Sequence, residues 1–357
     1  MQYNNQESLL SLVRLGIGNS VSYPHEDYNW KAIHALAVQH GLNAILVDSI
    51  ERLPVDKRPS KETLLEWIGE ILQGYELRSE SYQITIAELA GFYNSHGLKM
   101  MVLKGYACGL NWPKPEHRPC GDIDIWLFGK FKQADALLAK EKGIKVDNSH
   151  HHHSVFFWRD FMVENHYDFI NVHHHKSNVD LEKIFKELGK DDTHFIKVRG
   201  ETVYVPSPDL HTLFLLKHMM NDFTSFSVSL RQILDWAFHV KKYSKEIDWN
   251  SLLGVIEKYH MTDFFNIINA ICVEDLGFAS AIFPSVQFNP ALKEKVINDI
   301  FYPAFSVQEP PSLFPRLSYK MKRWLGNGWK HKLCYNESMI SAFLSGVWGH
   351  ILKPKSI

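Results

Sequence analysis

The stretch Gly121-Asp122-Ile123-Asp124-Ile125-Trp126-Leu127-Phe128 alternates with a period of two. On a strand, residues two apart share a face with Cα atoms ~6.6 Å apart, so Asp122 and Asp124 project side by side while Ile123 and Ile125 enter a core. Two such carboxylates can share a pair of hard cations ~3.5–4 Å apart. Oxygen-only ligation of that kind selects magnesium or manganese over zinc.

This strand sits between two regions of helical period. From the start to Gly97 the pattern is helical: in WKAIHALAVQHG, Ile33, Leu36, Ala37 and His40 share one face, Asp27 or Asn29 can cap the start, and Gly41 suits the left-handed end. The period then shortens. KMMVLK reads as a buried strand, FKQADALLAKEK as a helix stopping at Gly143, and HFIKVRGETVYVP as a hairpin turning at Arg199-Gly200. After PSPDLH, where Ser207 caps a helix with Pro208 at its first position, nearly everything is helical. The expected fold class is α+β, a small mixed-sheet core over 98–206 between a helical region (1–97) and a helical domain (207–305), with a basic, Trp-containing tail (306–357).

With 357 residues, 45% of them apolar, the chain can bury a large core. Its 39 basic and 40 acidic side chains leave a formal charge of −1, which argues against long nucleic acid as a partner. The first residues, MQYNNQESLLSLVRLG, lack the pattern of a signal peptide, and no run of eighteen apolar residues occurs, so no transmembrane segment and a cytoplasmic location are expected. Cys108, Cys120, Cys272 and Cys334 form no C-x-x-C pair, which speaks against a disulfide framework or a thiolate zinc site.

Three further features gather around the paired carboxylates. If FMVENHYDF is a strand, Phe161, Val163, Asn165, Tyr167 and Phe169 share one face and Met162, Glu164, His166 and Asp168 the other. Glu164 is then a third carboxylate with His166 beside it, needing a partner such as a metal if buried and facing water if the strand is an edge. Upstream, Leu103-Lys104-Gly105 turns from strand to helix, where backbone N–H groups can approach a phosphate and Lys104 can reach one of its oxygens. Arg118, four residues before Asp122, offers a planar fork for another.

The run VLKGYACGLNWPKPEHRPCGDIDIWL, followed by VENHYDF, resembles the uncharacterised bacterial nucleotidyltransferases of the DNA polymerase beta-like superfamily. That family pairs an L-K-G turn, an Arg, a G-D-h-D strand and a later V-E-h-H strand. Lys104 and Gly105 match the turn, Arg118 the arginine, Gly121, Asp122 and Asp124 the carboxylate strand, and Glu164 with His166 the last strand. Lys104-Gly105 replaces the superfamily's usual G-[GS] turn, and Asn165 stands where an apolar residue is expected. The resemblance extends from about Trp30 to Val240. It implies that Asp122, Asp124 and Glu164 hold two Mg2+ or Mn2+ ions bridging the phosphates of a nucleoside triphosphate such as ATP, with Lys104, Gly105, Arg118, Gly121 and His166 as phosphate contacts. In-line attack of an acceptor hydroxyl on the α-phosphorus would expel pyrophosphate. The acceptor, whether a small molecule, a sugar or a protein, is not specified. The competing readings are a nucleotide- or metabolite-binding protein without turnover and a scaffold that docks through its basic tail.

His150 to His153 and His173 to His175 flank the hairpin. Successive rings on a strand point to opposite sides, so the expectation is neutral, partly exposed strand ends that do not converge on one ion. Arg231 and Asp235, four apart, read as a surface ion pair, the alternative being that Arg231, or Lys217 and His218, lines the cleft. From Arg316 the tail carries eight Lys or Arg against one Glu, with Trp324, Trp329 and Trp348 interleaved. It reads as a cap on the helical domain, with docking to a membrane or polyanion as the alternative.

Overall fold

A computed structural model describes residues 2–20, 27–284, 287–305 and 308–344. The chain opens with α1 (Gln2–Gly16), α2 (Trp30–His40), α3 (Asn43–Ile50) and α4 (Lys61–Ile71). Local chemistry sets these boundaries. Asn29 accepts a hydrogen bond from the Ala32 N–H at the start of α2, and Gly41 ends it at φ 68°, in the left-handed region. A single wide turn, Leu72–Glu76, joins α4 to the long α5 (Leu77–Ser95), so the second helical stretch of the sequence is one helix with a defect in it.

The mixed α+β core follows: β1 (Met101–Val102), α6 (Lys104–Gly109), β2 (Ile123–Trp126), α7 (Phe131–Leu137), β3 (His153–Trp158), β4 (Phe161–His166), α8 (Lys176–Leu188), β5 (Phe195–Val198) and β6 (Glu201–Tyr204). The six strands form one sheet in the order β3-β4-β2-β1-β6-β5. β2 runs parallel to β4 and antiparallel to β1, while β3 and β5 are the antiparallel outer partners of β4 and β6. β4 is therefore interior, which excludes the edge-strand reading of Glu164. The hairpin from β5 to β6 turns at Arg199-Gly200, both with positive φ, as its sequence indicates.

Helices α9 (Pro208–Ser225), α10 (Leu230–Tyr243), α11 (Trp249–Lys258), α12 (Thr262–Ala270), α13 (Pro290–Phe301), α14 (Leu313–Gly326) and α15 (Gly328–Cys334) complete the described chain. Ser207 and Pro208 begin α9, and Ser229 with Gln232 closes a capping box on α10. One apolar core joins Leu9, Ile33, Ile45 and Trp67 to Leu213, Trp236, Phe264 and Ile300, so helices before and after the sheet bury their faces against each other. A second core packs Tyr82, Ile86 and Tyr93 of α5 against Ile123, Ile125, Phe156 and Val163. Because Ile123 and Ile125 face that second core, strand alternation turns Asp124 toward α9 and α10.

Asn165 is fully buried on the core side of β4, at a position where the sequence pattern calls for an apolar residue: its side-chain Nδ2 donates to Asp135 Oδ1 on α7 (2.8 Å), which also accepts from Ser154 Oγ (3.1 Å), while its Oδ1 has no hydrogen-bond partner among the described residues. The four cysteines are free. Among the described residues no helix is long and apolar enough to cross a membrane. Trp348 lies outside the described residues. Trp329 packs edge-on against Phe223 of α9, and Asn327 donates to the Thr224 and Ser225 carbonyls, so the described part of the tail rests on the helical layer.

Candidate active site

The parallel pairing of β2 with β4 sets Asp124 and Glu164 at the same register on neighbouring strands. Asp124 is buried, and two cationic side chains converge on it. Lys104 Nζ and His166 Nε2 each lie 3.0 Å from Asp124 Oδ1. Burial alone would raise the Asp124 carboxyl; Lys104 and His166 outweigh it and hold it well below the usual carboxylate range. The same pairing acts on His166. Burial lowers its affinity for a proton, but the contacts to Asp124 and Glu164 prevail and raise its pKa to about 9. At neutral pH the ring is an imidazolium, with its Nδ1–H donating to the Asp168 carbonyl (3.2 Å).

Asp122 differs from its neighbour. Burial and the nearby Asp124 charge raise its pKa, so Asp122 gives up its proton less readily than Asp124 does. Glu164 lies 3.6 Å from His166 Nε2 and 3.7 Å from His153 Nδ1, and these contacts outweigh burial to lower its pKa. One ligand atom each from Asp124, Glu164 and His166 falls within 4.8 Å of the others. Asp124 and Glu164 on neighbouring strands, with Asp122 just before β2, are a donor set that suits a divalent ion bound through oxygen.

The turn from β1 into α6 depends on glycine. Gly105 adopts φ 44° and ψ −96°, and a Cβ there would meet the Tyr82 hydroxyl at 2.7 Å. That hydroxyl donates to the Asp122 carbonyl at 2.6 Å, fixing the approach to β2 from α5. Lys104, Gly105, Arg118, Gly121, Asp122 and Asp124 line a cavity of about 180 Å³ closed on its far side by α9 and α10. Seven of the eight site positions named from sequence thus meet at this cavity or touch it through Asp124, and Glu164 joins them across the β2–β4 register.

The structure corrects the sequence reading at four places. Asp235 is buried and does not pair with Arg231: it accepts from Arg118 Nε and Nη2, both at 2.8 Å, and from Trp112 Nε1 at 2.7 Å. Arg231 instead lines the cavity, its buried Nε without a hydrogen-bond partner among the described residues. His218 lines it too, whereas Lys217 is buried elsewhere, its Nζ 3.2 Å from Tyr335 Oη. Finally, His151 and His153 are buried rather than partly exposed. Only His153 belongs to β3, so strand parity does not separate the run, and His152 and His153 both pack beside His166. Their neutral state does hold: burial drives the His153 pKa down to about 4 and lowers that of His152. No sequence signal gave His153, Tyr82 or Asp235 its observed partner, because each acts across more than ten residues of separation or from another element.

The family described as Uncharacterised nucleotidyltransferase matches residues 26–277. The chain belongs to that family. The match spans the carboxylate strand, the Lys104-Gly105 turn and the helices α9 and α10 that close the cavity, so this nucleotidyltransferase chain carries its candidate site within the matched region. An antigenic nucleotidyltransferase-like protein from Paracoccidioides brasiliensis is similar at 14% identity over 57% of this chain and 97% of its own, with a TM-score of 0.36. No curated protein matches the chain.

Proposed function

We propose that this nucleotidyltransferase moves a nucleoside monophosphate from a nucleoside triphosphate to an acceptor hydroxyl. The observation that carries the reading is the grouping of carboxylates, Asp124 on β2 in register with Glu164 on β4 and Asp122 just before β2, beside a cavity lined by Lys104, Arg118 and Arg231. Asp122, Asp124 and Glu164 would hold Mg2+ or Mn2+. Bound there, the ions would supply charge neutralisation at the phosphates and lower the pKa of a coordinated hydroxyl.

The chain's own residues have separable tasks. Lys104, now paired with Asp124, would turn to phosphate oxygen, and the backbone around Gly105 and Gly121 would allow close approach. Arg118 is anchored by Asp235, while Arg231, whose Nε has no hydrogen-bond partner among the described residues, is the better-placed phosphate contact. His166 would orient Asp124 and Glu164 through its hydrogen bonds. In the transfer, the acceptor oxygen bonds to the α-phosphorus and the bond to the bridging oxygen breaks. Pyrophosphate leaves with that electron pair, and the hydroxyl proton passes to the ionised Glu164 carboxylate. The neutral overall charge supports a small molecule, a sugar or a protein as acceptor over long nucleic acid.

Pyrophosphate release from each of the four common triphosphates, with Mg2+ or Mn2+ and a panel of hydroxyl acceptors, tests this reading. Metal-dependent release that vanishes in Asp124→Asn is expected. Tight nucleotide binding without release under every condition would replace the reading with that of a binding protein.

A further inference from the structure

A second cluster of metal-ligating side chains lies where the tail meets the core. His175 ends the second histidine run, just before α8, and Glu337 follows α15; they are 162 residues apart in sequence, and His175 Nδ1 donates to Glu337 Oε1. His331 of α15 completes the group, and one ligand atom from each of the three lies within 4.8 Å of the others. His331 is only 8% exposed, and both of its ring nitrogens are buried, yet neither has a hydrogen-bond partner among the described residues. A buried imidazole with two idle nitrogens is costly unless a ligand engages it. Tyr335 stacks on His175 with centroids 3.7 Å apart and walls one side.

We infer that His175, His331 and Glu337 form a binding site for a borderline divalent transition metal, zinc above all, which fastens the tail to the core. Two imidazoles and a carboxylate are a donor set suited to zinc and poor for magnesium, in contrast to the carboxylate cluster on β2 and β4. The protonation states agree. Burial lowers both histidines, His175 to about 4, so each offers a lone pair at neutral pH. Burial acts against ionisation of Glu337, but its contact with His175 prevails and keeps the carboxylate charged. Lys217, whose charge is felt at His175, is pushed down by burial to about 7, which limits its repulsion of a bound ion. The two sites share no residue, and the inference is independent of the proposed transfer chemistry.

The test uses untagged, chelator-stripped protein carrying Asp124→Asn, so that the carboxylate cluster is weakened. Zinc is titrated against a chromophoric chelator, and cobalt binding is followed by its visible d–d bands. The expected result is a zinc equivalent that raises the melting temperature, with its affinity reduced at least ~100-fold on adding His331→Gln or Glu337→Gln. Circular dichroism of the metal-free variants checks that they fold; if His331→Gln does not, His175→Gln provides the same comparison. Unchanged zinc affinity in folded variants, or no zinc equivalent in the parent, would overturn the site.

Discussion

Asp124 and Glu164 occupy one register position on two parallel strands, and His166 bridges them from the end of β4. The pairing makes the two carboxylates one electrostatic unit. Asp124→Asn is therefore expected to remove turnover by at least ~10³-fold while the protein remains folded, since shape is kept and a charge is lost. Turnover in manganese above a tenth of the parent value would show that Asp124 is not a metal ligand.

Glu164→Gln should reduce the rate more than the affinity for triphosphate, because its carboxylate is assigned to the acceptor proton. Arg231→Gln should do the reverse. Calorimetry of nucleotide binding beside single-turnover rates separates the two, and equal affinity losses would dissolve this division of labour.

The pair of Arg118 and Asp235 is buried and bidentate, so breaking it from one side leaves an uncompensated charge. Asp235→Asn or Arg118→Ala alone should cost roughly 3–5 kcal/mol of stability, and replacing both with apolar residues should recover a good part of it. Denaturant unfolding of the two single variants and the double variant gives the coupling. Additive losses would show that the contact contributes little.

In metal-free protein His166 has a pKa raised from 6.5 to about 9. Folding favours its protonated form, so the stability it contributes is complete below about pH 6.5 and is lost as pH rises through about 9. Thermal melts in chelator across pH 6 to 10 should show a decline that His166→Gln flattens. A decline of equal size in that variant would assign it to another group.

Gly105→Ala should destabilise by about 1–3 kcal/mol, since the backbone there has a positive φ and the new methyl would strike the Tyr82 hydroxyl. Tyr82→Phe in the same background should relieve part of the clash in chemical denaturation, at the loss of the hydrogen bond to Asp122.

Much of this was legible because its signals are local. Asn29, Gly41, Ser207 and Pro208 sit within a few residues of the boundaries they set, and the period of two carries Asp122, Asp124, Glu164 and His166 to shared faces without knowledge of the tertiary fold. The partners were not legible. Arg118 finds Asp235 at a separation of 117 residues, and the helical spacing of Arg231 to Asp235 suggested a nearer ion that burial overrules. The histidines depart from their pattern for a related reason: strand parity governs only residues in a strand, of the first run only His153 is in one, and His175 answers to Glu337 in the tail.

The wide turn at Leu72–Glu76 is where the chain passes from one core to the other, for Trp67 and Ile71 before it belong to the first and Tyr82 and Ile86 after it to the second. Its extra residue sets the phase of everything downstream, since each residue of a helix advances the face by about 100°. With an ordinary turn at this point, Tyr82 would swing away from Asp122, and α5 would present to the sheet a flank that is now exposed. A single inserted residue in the helical region thus aligns a hydroxyl with the start of the carboxylate strand, and the spacing between the two cores is part of the geometry of the candidate site.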